Sequence, residues 1–523
     1  MKRTEKIKNE FLLKRGAYNI ALIVVVIAAV IAVNVLSISI ARNYPTDIDL
    51  TVTGENSISE DNIDYIKGVD KKVEIIICAT KDGFSGETMQ ERTFNEYSVY
   101  FTDPAFLEQT AKLVDDYGRY NDNITITYAD PDAPSFSRII EKSGKSDLNY
   151  GDILVYSEFK SERGKEIKNA RVLNVKDMFE LAEYSYNYDG TPIYTAASSK
   201  VETAITSAIY SATSADVKTV AVLSGKSTEG AFDSIGSTIK LNAYNVIEVK
   251  DKIITKLPEE ADIIALVAPQ KDLAADEIEV LEKFLENGGN RGKDLMVFLS
   301  AANINLPNLY AFLAEWGAAA TDGEIIFETD AEKWISNYSA NAIYVVNNKS
   351  DYTATINDND DYLYVVNNAV PMKQSYVTQG NRVSQVLMCT FDSALAVDIE
   401  ATDIDDLSGQ SYAVCIYTHD TKWDNDYGAK KSGVFVCSSV DLVDSYFLSQ
   451  PVVGNDEFII SALNNICGRD DSAIAFTQKV IEEATFLAPT AGNVRTMRTI
   501  FVIVLPALVM ATGIFVWIRR SRR

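Results

Sequence analysis

Histidine is almost missing from this chain: His419 is the one copy in 523 residues. Nucleophilic hydrolysis needs a base beside its nucleophile, most often a histidine. His419 lies in the polar stretch Thr418-His419-Asp420-Thr421-Lys422, where a solvated loop side chain is expected. A Gly-x-Ser-x-Gly elbow is missing too, and the nearest match, Gly409-Gln410-Ser411-Tyr412-Ala413, ends on alanine. Cysteine is scarce and unpatterned. Cys78, Cys389, Cys415, Cys437 and Cys467 have no metal or redox spacing. Cys78, Cys415 and Cys437 sit inside the apolar runs EIIICAT, YAVCIYT and GVFVCSS, where a free thiol behaves as a small core residue. An odd, scattered set argues against a disulfide framework and for a compartment without strong disulfide machinery.

A complete P-loop is also lacking. The tripeptides Gly144-Lys145-Ser146 and Gly225-Lys226-Ser227 resemble its end, but the loop needs a glycine five residues earlier for backbone amides to wrap phosphate. Those positions hold Ile139 and Val220. The acidic clusters Asp358-Asn359-Asp360-Asp361, Asp403-Ile404-Asp405-Asp406 and Asp424-Asn425-Asp426 lack the calcium-loop spacing with its glycine and closing glutamate, and read as solvated loops. No catalytic, cofactor-binding or metal residue is assigned, and no enzymatic activity is expected.

What the chain does have is two uncharged apolar runs, Ala17 to Ala41 and Thr499 to Ile518. Each is long enough for a hydrocarbon core of about 30 Å, which takes roughly 20 helical residues. Asn19 and Asn34 interrupt the first only weakly; Pro506 and Gly513 in the second are tolerated in membrane helices, and Trp517 suits the interface. Lys2, Arg3, Lys6, Lys8, Lys14 and Arg15 precede the first run, and Arg519, Arg520, Arg522 and Arg523 follow the second. The positive-inside rule then puts both termini in the cytoplasm and the body outside it, in a two-pass cell-membrane protein. The first run is too long for the apolar region of an ordinary cleaved signal peptide.

Basic residues are scarce between the runs. Ten of the 49 lysines and arginines but only two of the 74 acidic residues lie at the ends, which leaves 39 against 72 in the body. Such a body is repelled by nucleic acid and anionic lipid heads, so its partners are expected to be proteins, or else cations or polyhydroxylated ligands.

The body reads as α/β. Short β-branched runs at Val73–Thr80, Ile124–Tyr128, Ile153–Tyr156 and Val172–Val175 alternate with helix-like stretches near Pro104–Tyr117, Met178–Tyr184 and Val201–Ala212. A cleaner block follows. Val217–Leu223, Asp262–Val267 and Asp294–Leu299 read as buried parallel strands. Between the last two, a helix is expected with Asp272 as N-cap, an apolar face of Ile278, Leu281, Phe284 and Leu285, and Gly288-Gly289 as its stop. Gly433–Ser438 and a helix from Asp456 to Cys467 are expected to close the same sheet.

The expected organisation is a cytoplasmic tail (1–16), a first span (17–41), and an α/β domain (42–215). A second α/β domain (216–327 and 428–470) is interrupted by an irregular β-rich insertion (328–427). A membrane-proximal segment (471–498), the second span (499–518) and a short tail (519–523) complete it. The tyrosines at 184, 186, 188 and 194 suit a surface loop, with stacking on a sugar or a protein contact as the functional alternative.

Several landmarks, in order, resemble one family, the GldG-like auxiliary components of ABC-type export systems, whose soluble region is shared with intraflagellar transport proteins. These are Asp49-Leu50-Thr51, Ser57-Ile58-Ser59, Lys71-Lys72-Val73-Glu74-Ile75, and the turn Asp130-Pro131-Asp132-Ala133-Pro134. Gly151-Asp152-Ile153-Leu154-Val155, Glu202 to Ile209, Ala261 to Gly289 and Gly454 to Asn465 follow. The family's Thr-Gly-His-Gly-Glu-like turn is here Ser224-Gly225-Lys226-Ser227-Thr228, and 328–427 matches no family motif.

The resemblance implies a non-catalytic membrane subunit beside a separate ATPase and a multi-span permease, without a cofactor. It also implies a second domain like a class I amidotransferase or flavodoxin-like fold that lacks the catalytic Cys and His. The expectation from sequence is therefore an accessory subunit of an exporter of unspecified substrate. The alternative is a membrane-anchored glycan- or ligand-binding module without a transporter partner.

Overall fold

The run Val73-Glu74-Ile75-Ile76-Ile77 becomes β1 (Val73–Ile77), buried at every residue but Glu74. In this computed structural model the described residues are 57–84, 92–94, 97–100, 104–161, 164–186, 190, 192–302, 305–335, 339–357, 362–400, 408–424, 428–444, 453–469 and 479–480. Both apolar runs, both tails and Asp49-Leu50-Thr51 lie outside them. Among the described residues no helix is long and apolar enough to cross a membrane. The fold itself is mixed α/β with large sheets.

The first sheet has four strands in the order β2-β1-β3-β4, with β2 at Ile124–Tyr128, β3 at Ile153–Lys160 and β4 at Glu166–Leu173. β1 runs parallel to β2 and antiparallel to β3. Helices α1 (Glu60–Gly68), α2 (Pro104–Tyr120), α3 (Ser137–Ser143) and α4 (Val201–Thr213) accompany it. Tyr117 of α2 and Ala204, Ile205, Ala208 and Ile209 of α4 share a core with Ile75, Ile77, Ile153 and Val155. Met178–Tyr184, expected as helix, is instead mostly extended: Phe179–Tyr186 pairs antiparallel with Pro192–Ser199. Cross-strand pairing overrides a helical propensity that is worth only tenths of a kcal/mol per residue.

Two sequence landmarks meet here. Glu202, only 2% exposed at the start of α4, accepts from the Ser59 amide (2.7 Å), the Ser59 hydroxyl (2.6 Å) and the Asn62 side chain (2.7 Å). Tyr117 donates to the Glu202 carbonyl at 2.9 Å. Glu202→Ala would strand an amide and the Asn62 side chain, a cost of about 3 kcal/mol in urea unfolding, whereas Ser59→Ala should cost about 1 kcal/mol. Equal costs for the two would remove Glu202 as the centre of this clamp. A few residues before Glu202, Ser198 and Ser199 pair with Val480 and Lys479. The N-terminal lead at Ser59 and the C-terminal strand at Lys479–Val480 are thus both tied to the segment 198–202.

The second sheet is ten-stranded. Its path is β6-β5-β7-β8-β13-β12-β11-β9-β10, where β5 is Thr219–Val222, β6 Asn245–Glu248, β7 Ile263–Val267 and β8 Asp294–Phe298. The path continues through β9 (Ala342–Asn347), β10 (Tyr364–Asn367), β11 (Arg382–Cys389), β12 (Ala413–Asp424) and β13 (Gly428–Cys437), and the tenth strand, Thr378–Gln379, pairs with β11 off this path. From β6 to β13 all neighbours are parallel. This is the doubly wound order 2-1-3-4-5. From β13 onward the pairs are antiparallel. The β-rich stretch 328–427 thus adds β9, β10, β11 and β12 to the same sheet.

Alternate residues feed two cores, as strands buried on both faces require. Helices α5 (Ala231–Leu241) and α8 (Asn455–Ile466) cover one face, with Ile235, Ile239, Phe458 and Leu463 on Val220, Val222 and Ala265. Helices α6 (Ala275–Glu286) and α7 (Pro307–Glu315) cover the other, with Leu281, Leu285, Leu309 and Leu313 on Ala221, Ile264 and Leu266. α6 ends where Asn287, Gly288 and Gly289 turn left-handed. Asp272, expected to cap α6, instead accepts from the Asn308 and Leu309 amides at 3.0 Å each and so caps α7. Glu277 takes its place on α6, accepting from the Ala274 amide at 2.9 Å. The two sheet systems are bridged by Lys240–Asp177 (2.6 Å) and by Arg171, which donates to the Tyr244 carbonyl and to Asn245 (2.8 Å).

Candidate functional site

In a doubly wound sheet, ligands enter beyond the carboxyl ends of the strands where the strand order reverses. Here that place is between β5 and β7, and the turn leaving β5 is Ser224-Gly225-Lys226-Ser227-Thr228. All five amides are already used: Ser224 donates to Val222 (2.9 Å), Gly225 to Val249 (3.1 Å), Lys226 and Ser227 to Leu223 (3.1 and 3.0 Å), and Thr228 to Val267 (3.0 Å). None is left to form a nest for an anion. The Ser227 hydroxyl donates to Leu223 and accepts from the Val267 amide, tying the turn across β5 and β7.

The crevice is closed by the chain itself. Lys226 meets both carboxylate oxygens of Glu277, at 2.7 and 2.8 Å, with the two side chains 10% and 4% exposed. The same carboxylate accepts from the Ile254 amide (2.8 Å) and the Ala274 amide (2.9 Å). Burial works to raise the Glu277 pKa, but the Lys226 ammonium and the two amides outweigh it, and the group titrates below the usual glutamate range. Above the turn, the 250–251 loop crosses so closely that any Cβ on Gly225 would run into the Lys250 and Asp251 carbonyls. Glycine is required there by space, not for a phosphate.

The other flagged residues fall elsewhere. Gly144, at φ +67, ends α3, and Ser146 donates to Asp147 in a surface turn. His419 is not in a loop: it lies on β12, half-buried against Tyr352 and Tyr417, with Nδ1 3.0 Å from the Thr421 hydroxyl. Burial, helped by Lys431 and opposed by Asp420, lowers its pKa. Ser411 donates to the Thr390 carbonyl and Tyr412 accepts from Ala396, so that run serves packing. The acidic clusters 358–361 and 403–406 lie outside the described residues, as do Asn425 and Asp426; Asp424 ends β12. Among the described residues no group of His, Cys, Asp and Glu is placed to hold a metal. Tyr186 is exposed, Tyr194 half-buried, Tyr184 lies on a strand, and Tyr188 is outside the described residues.

One open groove of about 990 Å³ was not signalled by any motif. It runs between the end of α7 (Ala311, Ala314, Glu315) and the hairpin around Gly380. Arg382 stacks 4.2 Å over Trp316, and Arg382 and Tyr376 both donate to the Glu315 carbonyl (2.6 and 2.8 Å). Asp420 pairs with Arg291 at 2.9 Å, and Asp420 Oδ1 and Arg291 Nε are buried without a hydrogen-bond partner among the described residues. These parts come from positions scattered between 291 and 420, so no local pattern announces them.

No family model matches this chain, and no curated protein matches it. A solved structure described as "mmIFT52 N-terminal domain" is similar to it at a TM-score of 0.35 and 13% identity, over 48% of this chain and 99% of that one. At that distance the likeness assigns neither a family nor a function.

Proposed function

We propose that this protein is a non-catalytic accessory membrane subunit of an ABC-type export system, a GldG-like component that holds an acidic α/β body outside the membrane beside a separate permease and ATPase. The observation that carries the non-catalytic part is the closed crevice. The place where this strand order admits ligands holds a buried Lys226–Glu277 pair and a turn whose amides are all bonded within the chain. Anchoring through two spans at 17–41 and 499–518 is supported by the way Ser59 and Lys479–Val480 both attach to 198–202, so that the leads toward the two runs depart from one place. The transporter partners rest on the ordered sequence landmarks.

The test is gentle solubilisation, capture through a tag on the C-terminus and identification of co-purifying proteins by mass spectrometry. A Walker-motif ATPase and a multi-span permease are expected in stoichiometric amount. Recovery of this chain alone across several mild detergents would favour the alternative, a membrane-anchored glycan- or ligand-binding module. The polar groove beside Arg382 and Asp420 is the observation that favours that second reading.

A further inference from the structure

Two of the scattered cysteines are brought face to face by the β12–β13 register. Cys415 and Cys437 are direct cross-strand partners, and both are fully buried. The Ser438 amide donates to the Val414 carbonyl at 2.8 Å, which makes Val414 and Ser438 a hydrogen-bonded pair. The neighbouring pair, Cys415 and Cys437, is then of the non-hydrogen-bonded kind, where Cα atoms stand about 4.5 Å apart and side chains share a face at closest approach. A disulfide needs Cα atoms roughly 4.4 to 6.8 Å apart. The other three cysteines are placed differently: Cys389 stands opposite Ala413, Cys78 is in the first sheet system and Cys467 follows α8.

We propose that Cys415 and Cys437 are a cross-strand disulfide site, closed when the protein meets a two-electron thiol oxidant. In the step the two S–H bonds break, one S–S bond forms, and two protons and two electrons pass to the oxidant; with diamide they reduce its N=N bond to the hydrazine. The inference depends on the β12–β13 register and not on membrane topology or on the proposed function. It also bounds the rate. Burial, together with the Cys437 thiol beside it, pushes the Cys415 thiol well above its usual range, and the thiolate is the attacking form. Closure therefore requires transient loosening of β12 from β13, and is slow in the undisturbed fold.

Full-length protein in mild detergent, incubated with diamide at urea concentrations below its unfolding midpoint, then acid-quenched, denatured and alkylated, tests this. Three of the five cysteines should take up label, a linked peptide should join the segments of Cys415 and Cys437, and reductant should restore all five. The oxidised chain should also unfold at a temperature several degrees higher, because the bridge restricts the unfolded chain. Cys415→Ser should leave four labelled cysteines and no Cys437 link. Full labelling at every urea concentration, or a link joining another pair, would overturn the proposal; wild-type peptide mapping decides this even if the variant fails to fold.

Discussion

Lys226→Ala is expected to lower the unfolding free energy by about 3–5 kcal/mol, the usual effect of stranding one member of a buried ion pair. Lys226 and Glu277 are 10% and 4% exposed, so the carboxylate left behind keeps two amide donors but loses its partner cation in a place that water barely reaches. Paired replacement by Met and Gln should cost much less than the two single changes added together, because the desolvation penalty leaves with the charge. The pH dependence has a definite sign. Glu277 titrates below its unfolded value, so its contribution is present above the ordinary glutamate pKa and fades only as pH falls through the depressed value. Chemical denaturation of both singles and the double, followed by tryptophan fluorescence, would check the cycle. Additive losses would mean that the pair does not act as a unit, and the closed-crevice reading would lose its energetic basis.

The same pair shows what a sequence can and cannot announce. Gly225-Lys226-Ser227 was readable as something other than a P-loop because Val220 stands where a glycine is needed, but nothing local points to Glu277, 51 residues away. Strands β5, β7 and β8 were legible because parallel strands covered on both faces are continuous apolar runs. α6 was legible from its apolar spacing and its Gly288-Gly289 stop. Its cap was not, since an aspartate just before a helix serves any nearby pair of amides, and Asp272 found those of α7. The stretch 328–427 looked separate because its strands are short, polar on one face and broken by turns. Its place beside β13 is fixed by the long β12–β13 hairpin, whose register is a non-local fact. That hairpin also sets His419 on a strand and opposes Cys415 to Cys437.

Asp294→Asn should reverse its effect on stability with pH. Asp294 begins β8 and is buried; it accepts from the Tyr417 hydroxyl at 3.0 Å, and the Tyr417 ring fills the space over Gly433 that a Cβ would take. Burial pushes its carboxyl up to about 7, more than the Tyr417 and Gly433 hydrogen bonds pull it down, with Asp262 adding repulsion and Lys218 opposing. A folded pKa above the unfolded one means that the native state holds the proton more tightly. The stabilisation is complete below about pH 4 and is lost as pH rises through about 7. Between pH 5 and pH 8 this amounts to about 3 kcal/mol lost from the wild type and spared in the variant. Asp152 and Asp441, both raised to about 6 by burial, tilt the curve the same way in both proteins, so the difference between the two curves isolates Asp294. The difference between the two urea midpoints at pH 5, 6, 7 and 8 should therefore move steadily in the variant's favour, with the variant the more stable at pH 8. Parallel curves would mean that Asp294 is already ionised at pH 5 and that the Tyr417 hydroxyl holds a carboxylate.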